Sequence, residues 1–128
     1  MVATFRLTLA QLNPVVGAIA ANAEAARAAW AAARDAGADM IAFGEMFLTG
    51  YQTQDLILRP AFVDAALAAL DRLAADCADG PAIGIGGPAR VAGRLHNAWH
   101  VLAGGRITAT VRKHHLPNDG VFDERRLF

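Results

Sequence analysis

The sequence predicts an α/β domain with a mixed sheet, and three observations carry that prediction. Between residues 5 and 43 an alternating run, a helical stripe and an apolar run follow one another, the order of a parallel β-α-β unit. A second helical stripe starting at Pro60 leads into a third apolar run. Two more strand-like runs flank Gly104-Gly105, the arrangement of an antiparallel hairpin.

In order, Phe5, Leu7, Leu9 and Gln11 alternate with Arg6, Thr8 and Ala10 up to Asn13-Pro14, a strand closed by a loop. Asn22 then reads as the N-cap of a helix that carries Ala23, Ala26, Trp30 and Ala33 on one face and stops at Gly37. Residues 40–43 lack polar alternation, as a strand buried on both faces does. After a polar connection over 44–59, Pro60 opens a helix whose stripe is Val63, Ala66, Leu67, Leu70, Leu73, Ala74 and Cys77. Strands are predicted over 81–87, 97–103 and 107–111, and nothing regular beyond. A domain that stops on a loop leaves a sheet edge or face uncovered, so residues 1–128 read as an incomplete part of something larger.

The 128 residues are enough for one domain. Lys and Arg number 12 and Asp and Glu 12, a balance that argues against binding nucleic acid or an anionic membrane surface. The 55% hydrophobic content includes 30 alanines, each of which adds little area to a core. The longest charge-free stretch, 7–23, contains Gln11, Asn13, Pro14 and Asn22 and suits neither a membrane span nor a signal peptide. A soluble, cytoplasmic protein is expected. Cys77, the one cysteine, allows no intrachain disulfide and fits a reducing compartment.

Glu45 follows a buried strand at its carboxyl end, where open α/β sheets place their ligand sites. Position alone leaves a solvated loop glutamate equally open. Lys113 repeats the placement after the last strand, and taken alone reads as a surface lysine; the two charges would still be able to meet in one cleft. Gly84-Ile85-Gly86-Gly87-Pro88 lacks the third glycine and the following helix of a dinucleotide loop, so it reads as a strand end. His96 and His100 share a strand face without a third ligand at metal spacing, so hydrogen-bonded hairpin histidines are expected and no metal is assigned. His115 is expected to orient the loop around Lys113.

Phe43-Gly44-Glu45-Met46-Phe47-Leu48-Thr49-Gly50-Tyr51 resembles the glutamate motif of the nitrilase (carbon–nitrogen hydrolase) superfamily, and Arg112-Lys113-His114-His115-Leu116-Pro117 resembles its lysine motif. Within it, Thr49-Gly50-Tyr51 with Asp55-Leu56, Arg59-Pro60-Ala61-Phe62, Leu116-Pro117-Asn118 and Gly120-Val121-Phe122-Asp123-Glu124 is most similar to the N-terminal glutaminase domain of glutamine-dependent NAD synthetases. The opening Ala10-Gln11-Leu12-Asn13-Pro14 and Val16-Gly17 belong to the likeness, which covers essentially the whole chain.

The resemblance implies an α-β-β-α sandwich, here partial, and a Glu-Lys-Cys triad that hydrolyses the carboxamide of glutamine. Glu45 would be the general base and Lys113 the charge facing the oxyanion. Tyr51 resembles the aromatic residue that helps hold the substrate. Glu124 corresponds either to an additional glutamate supporting the lysine or to a solvated partner of Arg125 or Arg126. The resemblance puts the nucleophilic cysteine on a later strand, so Cys77, on a helix stripe, reads as a core residue and the chain alone is expected to be inactive. It also implies an oligomeric parent using ATP and magnesium in a separate domain. A different carbon–nitrogen hydrolase, such as an amidase or carbamoylase, and a non-catalytic interaction module are the alternatives.

Overall fold

The computed structural model describes residues 2–128. Strands β1 (Leu7–Leu9), β2 (Met40–Ala42), β3 (Ala82–Val91), β4 (Arg94–Ala103) and β5 (Arg106–Arg112) form one sheet in that spatial order. Pairings β1-β2 and β2-β3 are parallel, and β3-β4 and β4-β5 antiparallel, so the sheet is mixed as predicted. Helices α1 (Ile19–Asp35) and α2 (Pro60–Asp76) provide the crossovers, and a short helix α3 (Glu124–Leu127) lies near the end of the chain.

The elements depart from the sequence expectations in ways that have physical causes. Helix α1 starts at Ile19, ahead of Asn22, because its alanines favour helix without a polar cap. Asn22 is instead buried within α1, where its side chain exchanges hydrogen bonds of 2.9 Å with the Val15 backbone and donates to the Leu48 carbonyl at 3.1 Å. Strands β3 and β4 run beyond the predicted 81–87 and 97–103 and join through Ala92-Gly93, both at positive φ, the conformation of a tight hairpin turn. Helix α3 was not expected, since four residues carry no periodic signal.

Both helices pack on one sheet face. Ile41, Ile83, Ile85 and Leu102 of the sheet meet Ala26, Trp30, Ala33, Ala66, Leu70 and Leu73 of the helices in one buried cluster. Each fully buried Ile or Leu contributes about 1.5–3 kcal/mol relative to exposure. The Trp30 indole fastens α1 to the start of β3 by donating to the Pro81 carbonyl at 2.9 Å. The opposite face has no helix layer: Leu7, Leu9 and Val111 are 50%, 74% and 61% exposed.

Two glycines of β3 shape that face. A Cβ on Gly84 would lie 2.0 Å from the Trp99 ring, and one on Gly86 would lie 2.2 Å from the Met46 backbone nitrogen. The glycines that mimic a dinucleotide loop are thus the floor on which an indole and the chain around Glu45 rest.

Candidate active site

The chain leaves β2 without leaving the sheet. Phe43 N–H donates to the Gly84 carbonyl at 2.7 Å, Gly86 N–H to Gly44 at 3.2 Å and Leu48 N–H to Gly86 at 3.1 Å. These bonds seat the 44–48 turn on β3 and fix where Glu45 leaves the backbone. Across the sheet, Lys113 N–H donates to the Asn97 carbonyl at 2.8 Å, one step past the end of β5.

The structure brings Glu45 and Lys113 together. Lys113 Nζ lies 2.7 Å from Glu45 Oε1 and 3.2 Å from both carboxylate oxygens of Glu124. The Glu124 side chain is only 4% exposed, which rules out the solvated-partner reading. It also accepts a 2.8 Å hydrogen bond from the Tyr51 hydroxyl, so the four residues singled out in the sequence form one connected cluster.

Burial would lower the Lys113 pKa, but hydrogen bonds and negative charge from Glu45 and Glu124 outweigh it and hold the ammonium above the ordinary lysine value. Burial, and then the bond to Glu124, push the Tyr51 phenol up against the opposing contact with Gln52. The centre therefore holds a fixed cation and a protonated phenol beside two carboxylates. Glu45 borders an open cleft of about 400 Å³ that Phe43, Phe47, Tyr51 and the segment 9–14 also line. Glu45 also borders a second cleft of about 230 Å³, which runs past Asn97, Trp99 and Lys113.

Helix α3 places Glu124, and an ion-pair clasp holds it there. Arg126 Nε donates to Asp123 at 2.7 Å, and its Nη1 pairs with Asp55 in the 3₁₀ helix Gln54–Leu58. The clasp leaves no local signature in the sequence, because Asp55 and Arg126 are 71 residues apart. Asn97 was missed too, although an asparagine inside a run such as Leu95 to Ala103 is the kind of residue strands disfavour. Its Nδ2 donates to Glu45 Oε1 at 2.7 Å and approaches Glu124 Oε2 at 3.5 Å.

Other residues fall outside the cluster. His115 packs edge-on against His114, with ring centroids 4.8 Å apart. His100 is buried between Thr110 Oγ1 at 2.9 Å and the Pro88 carbonyl at 3.0 Å. Among the described residues there is no group of three His, Cys, Asp or Glu able to hold a metal. Cys77 sits at the C-terminal cap of α2, where burial pushes its thiol up to about 11. The charges that act on it are Arg27, Asp76 and Arg34, not Glu45 or Lys113.

Comparison with known proteins adds to this geometry. The chain is 64% identical over 124 residues to the glutamine-dependent NAD(+) synthetase of Rhodobacter capsulatus, covering 97% of this chain and 22% of that protein. The glutamine-dependent NAD(+) synthetase structure from Cytophaga hutchinsonii superposes with a TM-score of 0.92 at 28% identity, covering 98% of this chain and 22% of that one. The ADP complex of the synthetase from Acinetobacter baumannii gives 0.85 at 32% identity, over 97% and 23%. The chain thus spans about a fifth of the length of these proteins. Residues 6–128 match the carbon-nitrogen hydrolase family from the start of β1 through α3. A match of that extent, on a nitrilase-like α/β fold that sets an acid against a lysine across the sheet, means that the chain belongs to the carbon-nitrogen hydrolase family.

Proposed function

We propose that these residues are the acid-and-lysine part of a glutamine amidohydrolase that supplies ammonia within a glutamine-dependent NAD synthetase. The observation that carries the reading is the 2.7 Å contact of Lys113 Nζ with Glu45 Oε1, beside a cleft lined by Tyr51, in a chain 64% identical to such a synthetase. Cys77 is unsuited as the nucleophile, being buried and protonated far above neutrality. The reading therefore assigns the nucleophile to a cysteine of the intact protein outside residues 1–128, and residues 1–128 alone are inactive.

Glu45 takes the proton of that thiol as the thiolate attacks the carboxamide carbon of glutamine. Lys113 stabilises the oxyanion of the tetrahedral intermediate, a role commonly worth about 3–4 kcal/mol of barrier. The C–N bond breaks, the proton held by Glu45 passes to the departing nitrogen, and ammonia leaves a γ-glutamyl thioester. Glu45 then deprotonates water, whose attack releases glutamate and restores the thiol. Tyr51 lines the cleft that takes the substrate, and Glu124 holds the Lys113 ammonium in place.

We assign use of ATP and magnesium to another part of the intact protein and no residue of this chain to either. The parent is read as a cytoplasmic homo-oligomer; among the described residues no helix is long and apolar enough to cross a membrane. The test is ammonia release from glutamine by the intact protein and its variants. Glu45→Gln and Lys113→Ala are each expected to lower kcat about 10²- to 10⁴-fold. Hydrolysis of simple amides or carbamoyl compounds with glutamine untouched would move the protein to another branch of the family. A folded intact protein that hydrolyses none of these would leave an interaction module.

A further inference from the structure

We propose that Asn97 is a positioning residue that commits Glu45 Oε1 to Lys113 and leaves Oε2 as the oxygen that exchanges the reacting proton. Asn97 is buried on β4, 3% exposed, at the register opposite Pro88. Its Nδ2 donates to Glu45 Oε1 at 2.7 Å, the same atom that Lys113 Nζ contacts at 2.7 Å. Its second N–H faces Glu124 Oε2 at 3.5 Å, and its carbonyl receives the Lys113 N–H at 2.8 Å. One residue thus touches all three charged members of the cluster, twice through its amide and once through its backbone.

The chemistry of an amide suits this place. Two carboxylates beside one ammonium leave an unbalanced negative charge, and a neutral group with two N–H donors holds both without adding a charge or a proton. Carboxylates are more stable ionised when they accept hydrogen bonds. With Oε1 engaged by two donors, and no donor among the described residues bonded to Oε2, the second oxygen is the free one. Arriving protons go there and not between Glu45 and Lys113.

The inference rests on the reading of Glu45 as a base, so its test has an arm that needs no turnover. Asn97→Leu keeps the volume and deletes the donors; Asn97→Asp keeps the shape and sets a third carboxylate against two. In the intact protein each is expected to lower kcat for glutamine about 10- to 100-fold with KM changed far less. The pH–rate profile of each variant is expected to differ in shape from that of the wild type on its acidic side. Lys113, which contacts Glu45, Tyr51, whose phenol feels its charge, and Glu124, which shares the Lys113 ammonium, are unchanged in both variants, so they do not produce the difference. Independently of turnover, crystal structures of the same proteins are expected to show Glu45 Oε1 no longer held at hydrogen-bond distance from Lys113 Nζ. Unchanged kinetics and an unchanged Glu45–Lys113 contact in variants that melt like the wild type would overturn the proposal. If Leu prevents folding, Asn97→Ala, which deletes the donors without adding a charge, decides in its place. A wild type without glutaminase activity would defeat the proposed function, leaving the structural comparison to judge Asn97.

Discussion

At the scale of single residues, charge and burial set which groups can move protons. Lys113 stays an ammonium through the neutral range because two carboxylates outweigh its desolvation, so it serves as a fixed charge and not as a base. His100 behaves in the opposite way: burial, ahead of the opposing backbone contacts with Pro88 and Gly87, lowers its pKa from 6.5. The unfolded chain then binds the proton more readily than the native one, so stability is full above about pH 6.5 and falls as pH drops toward the folded-state value. Thermal melts between about pH 7.5 and 5.5 are expected to show this loss, and His100→Gln to flatten it; an equal slope in both proteins would show that another group is responsible. A hydrogen-bonded hairpin histidine was legible in the sequence, as was the placement of Glu45 and Lys113 at strand ends. Asn97 was not, because its value lies in three partners far away along the chain.

At the scale of elements, the turn that carries Glu45 depends on a strand it only rests upon. A methyl group at Gly86 would strike Met46 N, Gly44 O and Glu45 C, all backbone atoms that cannot swing aside. Gly86→Ala is expected to cost about 1–3 kcal/mol and to part Glu45 from Lys113; a denaturant melt with a crystal structure of the variant checks both. Unchanged stability with an intact contact would mean that the turn has more slack than its hydrogen bonds imply. The helices were readable from their stripes and from Pro60 and Gly37, which punctuate them. The lengths of β3 and β4 were not, because the glycines that let Trp99 and the 44–48 turn approach closely also look like the end of a strand.

At the scale of the whole molecule, one sheet face is packed and the other is open. Leu7, Leu9 and Val111 on that open side amount to an apolar surface of the kind proteins usually cover. Residues 1–128 in isolation are therefore expected to self-associate, with sedimentation coefficients that rise with concentration. A Leu9→Lys/Val111→Lys double variant should sediment as a monomer, whereas a wild-type chain that is already monomeric would refute the argument. The mixed sheet also has a mechanical consequence for the acid and the amine. One departs from the parallel half and the other from the antiparallel half, with β3 and β4 between them. The gap between Glu45 and Lys113 is thus a gauge of sheet twist, and anything that winds or flattens the strands from a distance retunes the charge balance at the carboxylate without touching it.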